Sequence, residues 1–268
     1  MSDDFNSRNI EEFRANRGRI ALFGDARLLL LTTTGARTGR PHTTPLGYLP
    51  DDEFRLLVVA SAGGADRHPA WYHNLRADPK VTVEDGIFTY PAVAEVITGA
   101  ERERLFARIV EAQPGYGDYQ RTTRRVLPVV ALRNASEGPP RAGTSFGETL
   151  KAIHDSFRRE LALVRSEVAA AGPALGAQLR VNCLAVCGGL HVHHRGEDRG
   201  IFPAVVARSP ELAPVIERLT AEHVKIAALI DELEAAVRTD NPLPQVERLI
   251  DELEAHLRYE EEMLVPVL

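Results

Sequence analysis

The stretch His191-Val-His-His-Arg-Gly-Glu-Asp-Arg-Gly-Ile-Phe-Pro203 decides how the second half of this 268-residue chain is read. It has an echo near the C-terminus, His256-Leu-Arg-Tyr-Glu-Glu-Glu-Met-Leu-Val-Pro266. In each, a His is followed four residues later by a Glu, His193 by Glu197 and His256 by Glu260, and a Pro stands six residues past each Glu. Positions i and i+4 share one face of a helix, so each stretch aims an imidazole and a carboxylate at one point. Two such helices facing each other offer two nitrogens and two oxygens to metal. Mixed imidazole and carboxylate ligation suits iron or manganese, with zinc as an alternative. Thiolates are absent from the pattern, which argues against a structural Cys-type zinc site.

Working outward, residues 146–268 carry a helical period throughout. Helices are expected over about 146–171, 174–207, 210–238 and 243–264, broken at Gly172-Pro173, Ser209-Pro210 and Asp240-Asn-Pro242. Four long helices with short connections predict an antiparallel four-helix bundle, and Leu229-Ile-Asp-Glu-Leu233 and Leu249-Ile-Asp-Glu-Leu253 fit its amphipathic faces. Each helix offers a histidine: His154, His193, His223 and His256. This many polar groups inside an apolar bundle would be costly without a metal. The order His-x-x-x-Glu differs from the Glu-x-x-His of ferritin-like bundles. His191 and His194 are spare, and His194 stands as an alternative to His193 because it reaches Asp198 at i+4. Glu222, Glu261 and Glu262 are read as outer or solvated groups.

The first half reads differently. A short helix over 5–17 precedes apolar strands at 28–34, 43–49 and 54–60, with further strands at 80–84, 87–98 and 125–132 and helices at 69–77 and 100–112. Many short strands with turn signals and few helices predict a small β-barrel with helical decoration. Gly35-Ala-Arg-Thr-Gly-Arg40 sets Arg37 and Arg40 around Gly39 between two strands. Backbone N–H groups with guanidinium forks suit a phosphate or carboxylate, although a hairpin turn with solvated arginines satisfies the same spacing. Asn134–Ser145 is rich in Gly, Pro, Ser and Ala, and is expected to be a linker over 135–145, between a domain over 1–134 and another over 146–268.

Composition bounds the function. The chain is 44% hydrophobic and 26% charged, as in globular proteins. The first 145 residues hold 19 Lys and Arg against 18 Asp and Glu, and the remainder hold 13 against 20, which argues against a nucleic-acid surface. No apolar run is long enough for an integral membrane segment, and the acidic start lacks signal-peptide features, so a cytoplasmic location is expected. Cys183 and Cys187 lie four apart on one expected helix and read as small core residues.

Four motifs in order, Leu31-Thr-Thr-Thr-Gly-Ala-Arg-Thr-Gly-Arg-Pro-His-Thr-Thr-Pro-Leu46, Val59-Ala-Ser-Ala-Gly-Gly64, Pro69-Ala-Trp-Tyr-His-Asn-Leu75 and Pro114-Gly-Tyr-Gly-Asp-Tyr-Gln120, resemble the deazaflavin-dependent nitroreductase family. The resemblance implies a split β-barrel of the FMN-binding type that binds the deazaflavin coenzyme F420 and reduces quinones or nitro compounds. By that match Arg37, Thr38 and Gly39 grip the cofactor's acidic tail, and Thr43, Thr44, Pro45 and Leu46 line it. Val59, Ala60, Ser61 and Ala62 would hug the deazaflavin through the backbone, and Trp71, Tyr72, His73 and Asn74 form a further contact segment. Tyr48, Ser61, Tyr116 and Tyr119 match positions that shape the substrate pocket, Tyr119 also touching cofactor. FMN is the alternative cofactor. Plain core packing is the competing reading of Trp71, and His42 and His68 are read as loop histidines.

Residues 148–268 resemble the hemerythrin-like, His-His-Glu cation-binding domain, through Ile153–Arg158, His193–Pro203, Ala221-Glu-His223 and His256–Pro266. The resemblance implies two irons held by His154, His193, Glu197, His223, His256 and Glu260, the glutamates bridging, with oxygen or nitric oxide as ligands. Oxygen-carrying members place a second His one turn after the helix-three ligand. Ala227 stands there in this chain, so the expectation is a nitrogen-poor centre suited to redox turnover or sensing. The whole chain is thus expected to be an α+β two-domain oxidoreductase with a small-molecule electron acceptor, its reducing equivalents directed to that acceptor or towards the di-iron site. The alternative is an oxygen, nitric oxide or iron binding protein whose barrel is a cofactor-binding module. Split barrels often pair across their sheets, so a homodimer is expected.

Overall fold

The computed structural model describes residues 2–53, 55–135, 145–171, 175–238 and 242–268. The chain divides into two compact units, Met1–Ala142 and Gly143–Leu268. Nearly all of the expected linker, and the breaks at Gly172-Pro173 and Asp240-Asn241, lie outside the described residues. Among the described residues, no helix is long and apolar enough to cross a membrane.

The first unit opens with α1 (Ser2–Ala15). It continues through β1 (Leu28–Thr34), β2 (Pro41–Gly47), β3 (Leu49–Pro50) and β4 (Leu56–Val59). Then come α2 (Ala70–Ala77), β5 (Lys80–Glu84), β6 (Thr89–Ile97), α3 (Gly99–Ala112), α4 (Gly115–Thr122) and β7 (Val129–Asn134). The strands form one antiparallel sheet in the order β2-β1-β5-β6-β7-β4-β3.

Alternation along the strands sorts the side chains onto two faces. Leu29 and Leu31 of β1, Val58 of β4, Val81 and Val83 of β5 and Val130 and Leu132 of β7 enter one interior with Trp71, Tyr72 and Leu75 of α2. Leu46 and Tyr48, from the other end of the strand order, pack against that same core, which is the curl of a split barrel. The opposite faces are covered too. Leu28 and Leu30 pack with Phe13 of α1, and Val129 and Ala131 pack with Leu105, Phe106 and Ile109 of α3. Each such aliphatic burial contributes about 1.5–3 kcal/mol.

Two expectations are corrected in this unit. The closing strand starts at Val129 rather than 125, because Arg125 is drawn out of strand pairing to bond loop carbonyls. Residues 115–122, quoted above only as a tyrosine motif, form the helix α4 despite two glycines, since it packs on the 61–64 loop.

The second unit is the expected bundle. α5 (Phe146–Ala171) packs on α6 (Ala177–Gly196) and α9 (Leu243–Leu264), while α8 (Ala213–Val237) packs on α6 and α9. Leu161, Val164, Cys183, Cys187, Leu190, Ile226, Ile230, Leu233, Leu249, Leu253 and Leu257 fill its centre, so both cysteines are core residues. The second helix is not continuous to 207. After Gly196 it widens into a π turn (Glu197–Ile201) and resumes as α7 (Phe202–Arg208). Pro203 offers no N–H to the Arg199 carbonyl and its ring crowds that group, while Gly196 and Gly200 resist helix weakly. The third helix likewise starts at Ala213, after a 3-10 turn at Pro210–Leu212.

Candidate functional site

The second unit buries two neighbouring sets of metal-ligand side chains. His194, His223 and His256 form one set, and His154, His193, Glu197 and Glu260 the other, with each set's donor atoms within 4.8 Å of one another. Twice a metal–ligand length of about 2.1 Å is roughly 4.2 Å, so each set closes on an ion after shifts of tenths of an ångström. The carboxylates join the sets. Glu197 Oε1 lies 3.3 Å from His193 Nε2 and its Oε2 3.6 Å from His223 Nε2. Glu260 Oε2 lies 3.5 Å from His154 Nε2 and 3.6 Å from His256 Nε2.

These donors are buried and largely unpartnered. Of nine buried side-chain N or O atoms without a hydrogen-bond partner among the described residues, seven belong here: the Nε2 atoms of His154, His193 and His194, and both oxygens of Glu197 and Glu260. Native interiors rarely leave such groups bare, and the concentration at one point fits a bound cation. Burial lowers the basicity of all five imidazoles, that of His256 to about 4, so each keeps a lone pair near neutrality. Burial, then the adjacent Glu260, raises Glu197; burial raises Glu260 against a lowering contact from Glu197. Both carboxylates therefore lack the positive charge that would keep them ionised.

A second ring of carboxylates sets the tautomers. His154 Nδ1 donates to Glu261 over 2.9 Å, His223 Nδ1 to Asp198 over 2.9 Å and His256 Nδ1 to Glu222 over 3.0 Å. Holding Nδ1–H this way leaves Nε2 to face the cluster. Arg158 bonds Glu261 at 2.8 Å and Arg218 bonds Glu222 at 2.8 Å. Burial acts upward on both acids, yet these bonds hold them below the usual carboxylate range.

All six metal candidates named from the sequence come together. His194 lies in the other set from His193, beside His223 and His256. Asp198 does not meet His194 at i+4, because the π turn re-aims it at His223. The doublet His193-His194 was the available signal, but which residue faces which neighbour depends on helix packing. His191 stays outside, partly exposed near Asp231.

In the first unit, α2 connects two loops. Asn74 accepts from the Ala36 N–H at 3.0 Å and donates to Thr33 at 3.1 Å, tying down the loop 35–40. Arg37, Thr38, Gly39 and Arg40 on that loop are exposed, and Thr38 Oγ1 approaches His42 Nε2 at 3.4 Å. On the other side, His68 sits against Tyr72 and His73. Trp71, Tyr72 and Asn74 are buried in the core, and His73 alone of that segment is exposed.

Val59 ends β4 and the loop after it begins with Ala60, both buried, then half-buried Ser61 and exposed Ala62. Ala62, Gly63 and Gly64 all have positive φ (48°, 62° and 81°). A side chain at Gly64 would strike Thr122 and the Tyr119 backbone, so glycine is required there. Arg125 stitches this loop by donating to the carbonyls of Ala60 (3.0 Å), Ser61 (2.6 Å) and Ala65 (2.7 Å). Sequence reasoning missed Arg125, because three carbonyls from one distant loop leave no local pattern. Tyr116 and Tyr119 stand edge to face at 6.2 Å, and Tyr116 Oη lies beside Gly47, the end of the half-buried run Thr43, Thr44, Pro45 and Leu46, with Tyr48 next in the chain. Burial raises the Tyr116 phenol above its ordinary value, so it keeps its proton.

Residues 7–134 match the family described as F420H(2)-dependent quinone reductase, and residues 145–268 match the hemerythrin HHE cation binding domain. An F420H(2)-dependent quinone reductase of Mycobacterium tuberculosis is 39% identical over 125 residues, covering 45% of this chain and 83% of that relative. This chain belongs to the F420H(2)-dependent quinone reductase family. A solved structure of an F420-H2 dependent reductase is 39% identical, covering 40% of this chain and 94% of that one with a TM-score of 0.37. The quinone reductase family match ends at residue 134, and the HHE match takes in every residue of the two metal-ligand sets.

Proposed function

We propose that this protein is an F420-dependent oxidoreductase that reduces a quinone or nitro-type acceptor, carrying a di-iron HHE domain. The observation that carries the metal reading is the pair of buried sets joined by Glu197 and Glu260, in which the Nε2 atoms of His154, His193 and His194 and both oxygens of each glutamate lack hydrogen-bond partners. The family membership, together with two loops held by Asn74 and Arg125, supports the reductase reading.

When bound, reduced F420 supplies a hydride, and iron supplies one-electron redox and small-ligand binding. The chain's own residues do the rest. Arg37 and Thr38 on the exposed loop bind the anionic tail, Gly39 giving the turn its positive φ of 65°. Thr43 to Leu46 and the backbone of Val59 to Ala62 position the ring system. Tyr116, with its proton held by burial, donates a hydrogen bond to an acceptor oxygen, and Tyr48, Ser61 and Tyr119 shape the space around it. His154, His193, His223 and His256, with Glu197 and Glu260, would hold the two irons.

Titration of the purified protein with F420, read by deazaflavin fluorescence, should show saturable binding. Menadione should then be consumed in step with F420H2, and two irons should be found per chain. Binding of FMN in place of F420, or F420 binding without acceptor turnover, overturns the reductase reading. Absence of iron from protein grown with iron overturns the di-iron reading.

A further inference from the structure

We propose that His194 is a fifth imidazole ligand, making the two metal positions unequal: His194, His223 and His256 at one, His154 and His193 at the other. This rests on the di-iron reading above and assigns a residue which that reading leaves out.

His194 is 5% exposed, and its Nε2 has no hydrogen-bond partner. An ordinary core histidine has its buried nitrogens bonded. Its ring stacks on His223 at 4.2 Å between centroids, 17° from parallel, and meets His256 edge to face at 5.4 Å. Its donor atom groups with those two rings within 4.8 Å. His193 instead meets His154 at 5.2 Å. Consecutive residues on a helix point about 100° apart, so the doublet cannot serve one ion and is placed to serve two adjacent ones.

The bonding around the doublet agrees. Asp198, which an unbroken helix would bring towards His194, is turned to His223, so the carboxylate orders the neighbour while His194 Nε2 stays bare. The imidazole missing at Ala227 on α8 is thereby supplied from α6. Glu197 and Glu260 each approach an imidazole of both sets, so the two positions differ by the extra nitrogen that His194 brings to one of them. The position with two imidazoles, one nitrogen poorer, should hold its ion less tightly.

The test uses the full chain loaded anaerobically with Co(II), and follows release to a chelator by the visible Co(II) bands. Wild type should release two ions in two phases of equal amplitude. His194→Ala should lose the slow phase, its second ion leaving more than about 100-fold faster, beyond the cost of losing an outer partner. His191→Ala should match wild type. Proton NMR of the Co(II)-loaded wild type counts the ligands without any variant: five exchangeable, hyperfine-shifted ring N–H signals are expected. Four signals, or a folded His194→Ala protein with the wild-type two-phase release, overturns the assignment alone. A wild-type chain that takes up no Co(II) or iron overturns the di-iron reading with it.

Discussion

Asp198 Oδ1 lies 2.9 Å from His223 Nδ1, a carboxylate from the π turn of one helix fixing the imidazole of another. Removing it frees the ring to rotate and to take the other tautomer. Asp198→Ala should weaken the affinity of the His223 position by about 10- to 100-fold. Competition against a chelator of known affinity measures this. A change below threefold would show that Phe202, stacked on the other side at 5.2 Å, holds the ring unaided.

Glu197 is 1% exposed, and both its oxygens are bare without a cation. Replacing it by Leu removes a buried polar group whose desolvation costs about 1–3 kcal/mol. Glu197→Leu should therefore raise the melting midpoint of the metal-free bundle by several degrees while abolishing the rise that iron produces in wild type. Circular dichroism at a helical wavelength, with and without metal, reads both effects.

Arg125 holds three carbonyls of the loop after β4, and α4 leans on the same loop through Thr122. Arg125→Ala leaves those carbonyls to water and loosens the loop. F420 affinity should fall by at least about tenfold, since the ordering lost with even one charge-assisted bond, about 1.5–3 kcal/mol, must then be supplied by binding. The iron content should not change. Fluorescence titration and metal analysis on one preparation make the comparison.

Gly64 combines a φ of 81° with backbone and Thr122 contacts where a side chain would go. Gly64→Ala should destabilise the first unit by about 1–3 kcal/mol. Trp71, the one tryptophan, is buried in that unit's core and reports its unfolding in urea. A midpoint equal to wild type would show that α4 can retreat at little cost.

Much of this architecture could be read along the chain. Strand 28–34 and strand 80–84 are legible to the residue, because apolar and β-branched runs bounded by turn residues are local signals. The bundle helices 146–171 and 243–264 were equally legible from their apolar period. The helix α4 was not, since Gly115 and Gly117 argue against helix locally and only its packing on the 61–64 loop overrides them. Nor was the role of Arg125, whose partners lie some sixty residues away.

The sequence by itself determined which chemistry the bundle could hold. Imidazoles and carboxylates four apart share a helix face whatever surrounds them, so the donor types and four of the donors (His193, Glu197, His256 and Glu260) follow from spacing, while His154 and His223 follow from the resemblance to the hemerythrin-like domain. Only the tertiary structure decided how those donors divide into two sets and that His194 joins one of them. Spacing specifies direction around one rod. The rotation of each rod against its neighbours arises from packing between helices and has no signature within any one of them.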